Sequence, residues 1–141
     1  MNENVQIIIH STQHDLSNET METTYTGKYR RLSDKHLITY DEYFEDEGVP
    51  PTKNTNLIKI DENSVQITKK GIITTQMHFE NGKKHLGVYQ TPFGSFNMML
   101  QTKTLTIDET EHAILAMINY VLYLDGRRVS EYTIQMEISF L

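Results

Sequence analysis

The chain of 141 residues contains no cysteine, which excludes disulfide staples, thiolate nucleophiles and cysteine metal ligands. No apolar run approaches membrane-spanning length, and the opening Met1-Asn2-Glu3-Asn4 lacks the basic flank and long apolar stretch of a secretory leader. A cytoplasmic location with no membrane partner is the resulting expectation. Positive charge is also scarce: net charge is -6, which argues against a strong nucleic-acid binder, because phosphate contact needs concentrated Lys and Arg. Phosphate loops, nucleophile elbows, zinc spacings and zincin signatures are all missing, so an enzyme is not the favoured reading.

What the chain does have is strand signal. Asn54 to Asp61, Ser64 to Lys69, Ile72 to Phe79 and Lys83 to Gln90 follow one another with only turns between them. Asn81-Gly82 predicts a type I′ hairpin that pairs Phe79 with Lys84, Met77 with Leu86 and Thr75 with Val88, leaving His78 opposite His85 on the polar face. A three-residue Lys69-Lys70-Gly71 turn, with Gly71 left-handed in a bulge, pairs Ile67 with Ile73 and Val65 with Thr75 and keeps one apolar face. The Glu62-Asn63 turn pairs Ile60 with Val65 and Ile58 with Ile67.

Strands are also expected at Val5 to Ser11, at Thr20 to Tyr29 with a bend or bulge at Gly27, and at Leu37 to Phe44 with Ile38 and Tyr40 inward. Glu45 to Lys53, with Gly48 and Pro50-Pro51, reads as an acidic loop that either connects strands or covers a site. In Thr91-Pro92-Phe93-Gly94, Pro92 fixes φ, and Gly94 permits either a positive φ or a close contact. Ser95 to Ile107 is long enough that it must bend. Ile114 to Leu124 and the alternating Tyr132 to Phe140 flank an Asp125-Gly126 turn. A simple register there sets Ile118 opposite Thr133, so a bulge near Ser130-Glu131 is expected to restore Ile118 to Ile134 and Ala116 to Met136. About ten strands with hardly any helix make an all-β domain spanning residues 1-141, and closing it into a single antiparallel barrel removes the exposed edges.

Lys28, Arg30, Arg31, Lys35 and His36 form the one basic cluster, beside an acidic run at Asp41, Glu42, Glu45, Asp46 and Glu47. Solvated faces of opposite sign are the plain reading, and weak nucleic-acid binding at residues 28-35 is the sharper one. The paired His78 and His85 could give two metal ligands, with Gln76 or Glu80 as a third; two solvent-facing histidines are preferred, and no metal or cofactor is expected. Tyr25, Tyr29, Tyr40, Tyr89, Tyr120 and Tyr132, with Met77, Met98, Met99 and Met136, either fill the barrel or line a ligand-sized cavity.

Thr91-Pro92-Phe93-Gly94, preceded by Gly87-Val88-Tyr89 and by Gln76 through Lys83, resembles the DUF1934 family, the YwiB-like small bacterial proteins. The resemblance runs from about Val5 to Ile138 and includes the Leu122 to Gly126 hairpin. It implies a calycin-like barrel, similar to lipocalins and fatty-acid-binding proteins, and it implies no assigned reaction or catalytic residue. The expectation is a small barrel binding an apolar or amphipathic molecule at its mouth, near Tyr89, Phe93 and Phe96, with Tyr40, Tyr120 and Tyr132 beneath. Gly71, Asn81, Gly82, Pro92, Gly94 and Gly126 shape the turns. The alternative is a homodimer, since Met98 to Leu105 and Ile114 to Tyr123 carry apolar residues on both faces.

Overall fold

The computed structural model describes residues 3–15, 19–44, 47–48, 50 and 52–141. It contains ten strands: β1 (Glu3–Gln13), β2 (Thr20–Leu32), β3 (Lys35–Phe44), β4 (Thr52–Ile60), β5 (Ser64–Lys70), β6 (Thr74–Glu80), β7 (Lys84–Thr91), β8 (Gly94–Glu109), β9 (Ala113–Leu124) and β10 (Arg127–Phe140). Each strand pairs antiparallel with its sequence neighbours, and β1 pairs with β10, so the sheet closes on itself. No helix occurs among the described residues, and none is long and apolar enough to cross a membrane.

Alternation sends every second side chain inward. Ile58 and Ile60 on β4, Val65 on β5 and Phe79 on β6 are fully buried, as are Ile114 and Ile118 on β9 and Met136 and Ile138 on β10. Closure needs strands that bend, and β8 does so at a bulge between Thr102 and Thr104. The turns at 33–34, 61–63, 81–83 and 110–112 gather at one end, where buried side chains such as Ile60, Val65, Phe79 and Ile138 fill the interior. Those at 71–73, 92–93 and 125–126 ring the other.

Three turns show how far a period-two pattern determines register. Ile60 pairs with Val65 and Ile58 with Ile67, as expected, and Asp61 caps this turn by accepting from the Asn63 and Ser64 amides at 2.8 and 2.7 Å. Between β5 and β6, however, Ile67 pairs with Met77 rather than Ile73, and Val65 with Phe79 rather than Thr75. The shift is four residues, an even number, so either register keeps the same apolar face. Gly71 is not left-handed; a Cβ there would meet the Asn54 side chain and come within 2.7 Å of the Lys53 carbonyl. Ile72 and Ile73 lie exposed in the turn.

Between β6 and β7 the offset is one residue, and Thr75 pairs with Tyr89 rather than Val88. Only Gly82 of the Asn81-Gly82 pair has positive φ, and Lys83 N–H donates to the Glu80 carbonyl at 3.0 Å, the pattern of a type II turn rather than I′. Tyr89 therefore turns inward, and Leu86, expected on the apolar face, is 83% exposed. The β10 bulge is present but lies between Arg128 and Ser130, slightly before the expected place; it restores Ile118 to Ile134 and Ala116 to Met136. Asp125 and Gly126 both have positive φ there, as a type I′ turn requires. Gly94 has φ +141 with open space beside its Cα, so conformation rather than crowding requires glycine at that turn. Gly27 pairs with Val5 in an unshifted register, so it marks no bulge; a Cβ there would reach the Thr39 carbonyl at 2.5 Å, so β3 meets β2 closely over it.

Candidate functional site

At the end of the barrel that carries the turns at 71–73, 92–93 and 125–126, a cavity of about 320 Å³ enters the interior beside Ser11 of β1 and Met21 and Thr23 of β2, walled by Ile9, Ile58, Ile67, Met77, Ile134 and Met136, with Tyr25, Tyr40 and Tyr120 among its remaining lining. Strand parity explains why polar groups also reach it. On β3 the inward positions His36, Ile38 and Tyr40 are followed by Glu42, on β4 Ile60 and Ile58 are followed by Asn56, and on β5 Val65 and Ile67 by Lys69.

Glu42 is 13% exposed and accepts three hydrogen bonds, from Asn56 Nδ2 at 2.7 Å, Lys69 Nζ at 3.1 Å and Tyr25 Oη at 3.0 Å. Burial pushes its carboxyl up, but the Asn56 bond and the Lys69 ammonium, with Tyr25, outweigh it and hold the group below the ordinary carboxylate range. Glu42 is thus a fixed negative charge, held by three donors, rather than a proton acceptor. Burial raises the Tyr40 and Tyr120 hydroxyls, so both stay neutral. Lys69 carries three N–H donors, of which one is engaged by Glu42. Asn56 Oδ1, inside the barrel, makes no hydrogen bond.

Of the residues expected at the site, Tyr40 and Tyr120 line the cavity. Tyr132 stacks on Tyr120 with centroids 5.4 Å apart, and Tyr89 meets Phe96 edge-on at 5.8 Å, but Tyr89, Phe96 and Tyr132 are not among the residues that line the cavity. Phe93 stands at the tip of its turn, 97% exposed. Tyr29 is at the far end, sharing a 2.6 Å hydrogen bond with His36 Nδ1, while His36 Nε2 lies 3.2 Å from Glu109. His36 is only 5% exposed and so drops out of the basic surface cluster. Lys28 donates to Asn4 Oδ1 at 2.6 Å. Glu45 and Asp46 of the acidic loop lie outside the described residues. Leu115 and Met117, outward on β9, are exposed. Glu42, Lys69 and Asn56 were not singled out as site residues from sequence, although each continues the inward parity of its strand.

The geometry defines a class, a closed ten-stranded antiparallel barrel with a mostly apolar cavity at one end and the half-buried Glu42–Lys69 ion pair within it. The chain belongs to the family described as Domain of unknown function (DUF1934), whose profile matches residues 5–136. Its fold is similar to that of the ywiB protein from Bacillus subtilis, with a TM-score of 0.82 at 19% identity, covering 99% of this chain and 93% of that one. At that identity the likeness shows the fold alone. Ail, the attachment invasion locus protein of Yersinia pestis, aligns over 99% of this chain and 97% of its own at 7% identity, with a TM-score of 0.31, too low to bear on this chain. No curated protein sequence matches.

Proposed function

We propose that the barrel binds a small amphipathic molecule, with its apolar body in the cavity and its polar group toward the Lys69 ammonium. The observation that carries this reading is the cavity itself: its 320 Å³ falls at the lower end of ligand sites, which run from about 300 to 1,000 Å³. Mostly apolar walls with a few convergent polar groups are the usual composition of such sites. The ligand is accordingly compact, and an anionic or hydrogen-bond-accepting end suits the Lys69 donors. We place this binding in the cytoplasm, the compartment expected from sequence.

Anilinonaphthalene sulfonate, an aromatic body with one anionic group, is a direct probe. Its fluorescence is expected to rise saturably with one site per chain, and Ile134→Trp, which fills the cavity, is expected to weaken binding at least tenfold with circular dichroism unchanged. Lys69→Met is expected to weaken it less. Unaltered binding in a folded Ile134→Trp chain overturns the reading.

A further inference from the structure

The other polar cluster that resembles a site lies away from the cavity, where β6 and β7 leave their shared turn. Their pairing runs from Thr74↔Gln90 to Gln76↔Val88 and goes no further toward the turn. In that gap His78 and His85 stack face to face, centroids 3.9 Å apart and planes 19° off parallel. Continued with the observed offset, the register would set His78 beside Leu86 and turn His85 to the opposite face, so the two rings stack only because the ladder has ended and they meet across the gap it leaves.

Both imidazoles approach the same carboxylate oxygen. His78 Nε2 is 3.5 Å and His85 Nε2 3.3 Å from Glu80 Oε1, while Lys83 Nζ holds the other oxygen, Oε2, at 2.9 Å. The 3.3 Å approach is close in distance but wrong in angle, for His85 Nε2 is buried and makes no hydrogen bond. A buried ring nitrogen without a partner, this close to a shared carboxylate, needs an explanation. One ligand atom from each residue lies within 4.8 Å of the others.

We propose that His78, Glu80 and His85 bind a divalent ion of the zinc class through the two Nε2 atoms and Glu80 Oε1, leaving a fourth position for water or another ligand. Two imidazoles and one carboxylate are a common three-ligand set for that ion. Metal–ligand bonds of about 2.0–2.1 Å give a tetrahedron edges of about 3.3–3.4 Å, close to the two nitrogen–oxygen separations found here. Octahedral edges are shorter, near hydrogen-bond length. Stacked rings point their lone pairs side by side, so binding turns both rings until those pairs converge. The side chains are 25–32% exposed, which gives an ion access and the rings room to turn.

The test is a Zn²⁺ titration of the metal-free chain in competition with a chromophoric chelator. One equivalent per chain is expected. His78→Gln, His85→Gln and Glu80→Gln should each weaken binding by at least the ~10–100-fold that loss of even an outer partner costs. His10→Gln, which alters a different His–Glu pair 3.8 Å apart, should change nothing. The histidine ring protons of the unsubstituted chain give the same answer without mutation: those of His78 and His85 should move together at equimolar Zn²⁺ as the stack opens. Zn²⁺ binding that is indifferent to the three substitutions, or equimolar Zn²⁺ that leaves both ring spectra in place, overturns the proposal.

Discussion

Glu42 is an ionised carboxylate whose neighbours inside the barrel make the fold sensitive to acid. Because its folded pKa lies below the ordinary value of 4.5, folding favours the charged form. The stabilisation is complete above the unfolded value and is lost as pH falls from there through the folded one. Glu42→Gln is therefore expected to lower stability at neutral pH and to flatten the acid limb of a stability–pH curve below about 4.5. Asp15, Asp61 and Glu80 are held low as well, so the slope shrinks rather than vanishes. Urea midpoints measured across that range give the comparison. An acid limb as steep in the variant as in the parent chain would mean that the Asn56, Lys69 and Tyr25 contacts do not favour the charged carboxylate.

Gly71 belongs to the element scale, since it governs how the β5–β6 turn sits against β4. With Asn54 buried and the Lys53 carbonyl in the way, Gly71→Ala is expected to cost about 1–3 kcal/mol through overpacking. Urea unfolding measures it, and an unchanged midpoint would mean that the turn stands off β4. The strands themselves were legible in sequence because alternation marks them: all ten were anticipated, with the β4–β5 register and the need for a β10 bulge. Alternation carries only parity, however. It cannot see the four-residue β5–β6 shift, which leaves every side chain on the same face, and it misplaced β7, where Leu86 and Val88 on one parity compete with Tyr89 on the other. The same blindness hid the site: Glu42 was read with its acidic neighbours in sequence, whereas its strand parity with Ile38 and Tyr40 carries it inside.

At the scale of the molecule, the barrel is asymmetric along its axis. One end is filled by isoleucines, Phe79 and the Tyr29–His36–Glu109 contacts, and the other holds the cavity. Tyrosine and methionine content favours a filled barrel over a ligand-sized cavity without excluding either, because both use the same side chains; the structure has a cavity that Tyr120, Met77 and Met136 line. The most direct measurement is methyl NMR of the chain titrated with a small amphiphile such as anilinonaphthalene sulfonate. The account predicts shifts at Ile9, Ile58, Ile67, Met77, Ile134 and Met136, with the outward Leu86, Leu115 and Met117 methyls unmoved. Shifts confined to those outward methyls, with the cavity isoleucines still, would contradict it.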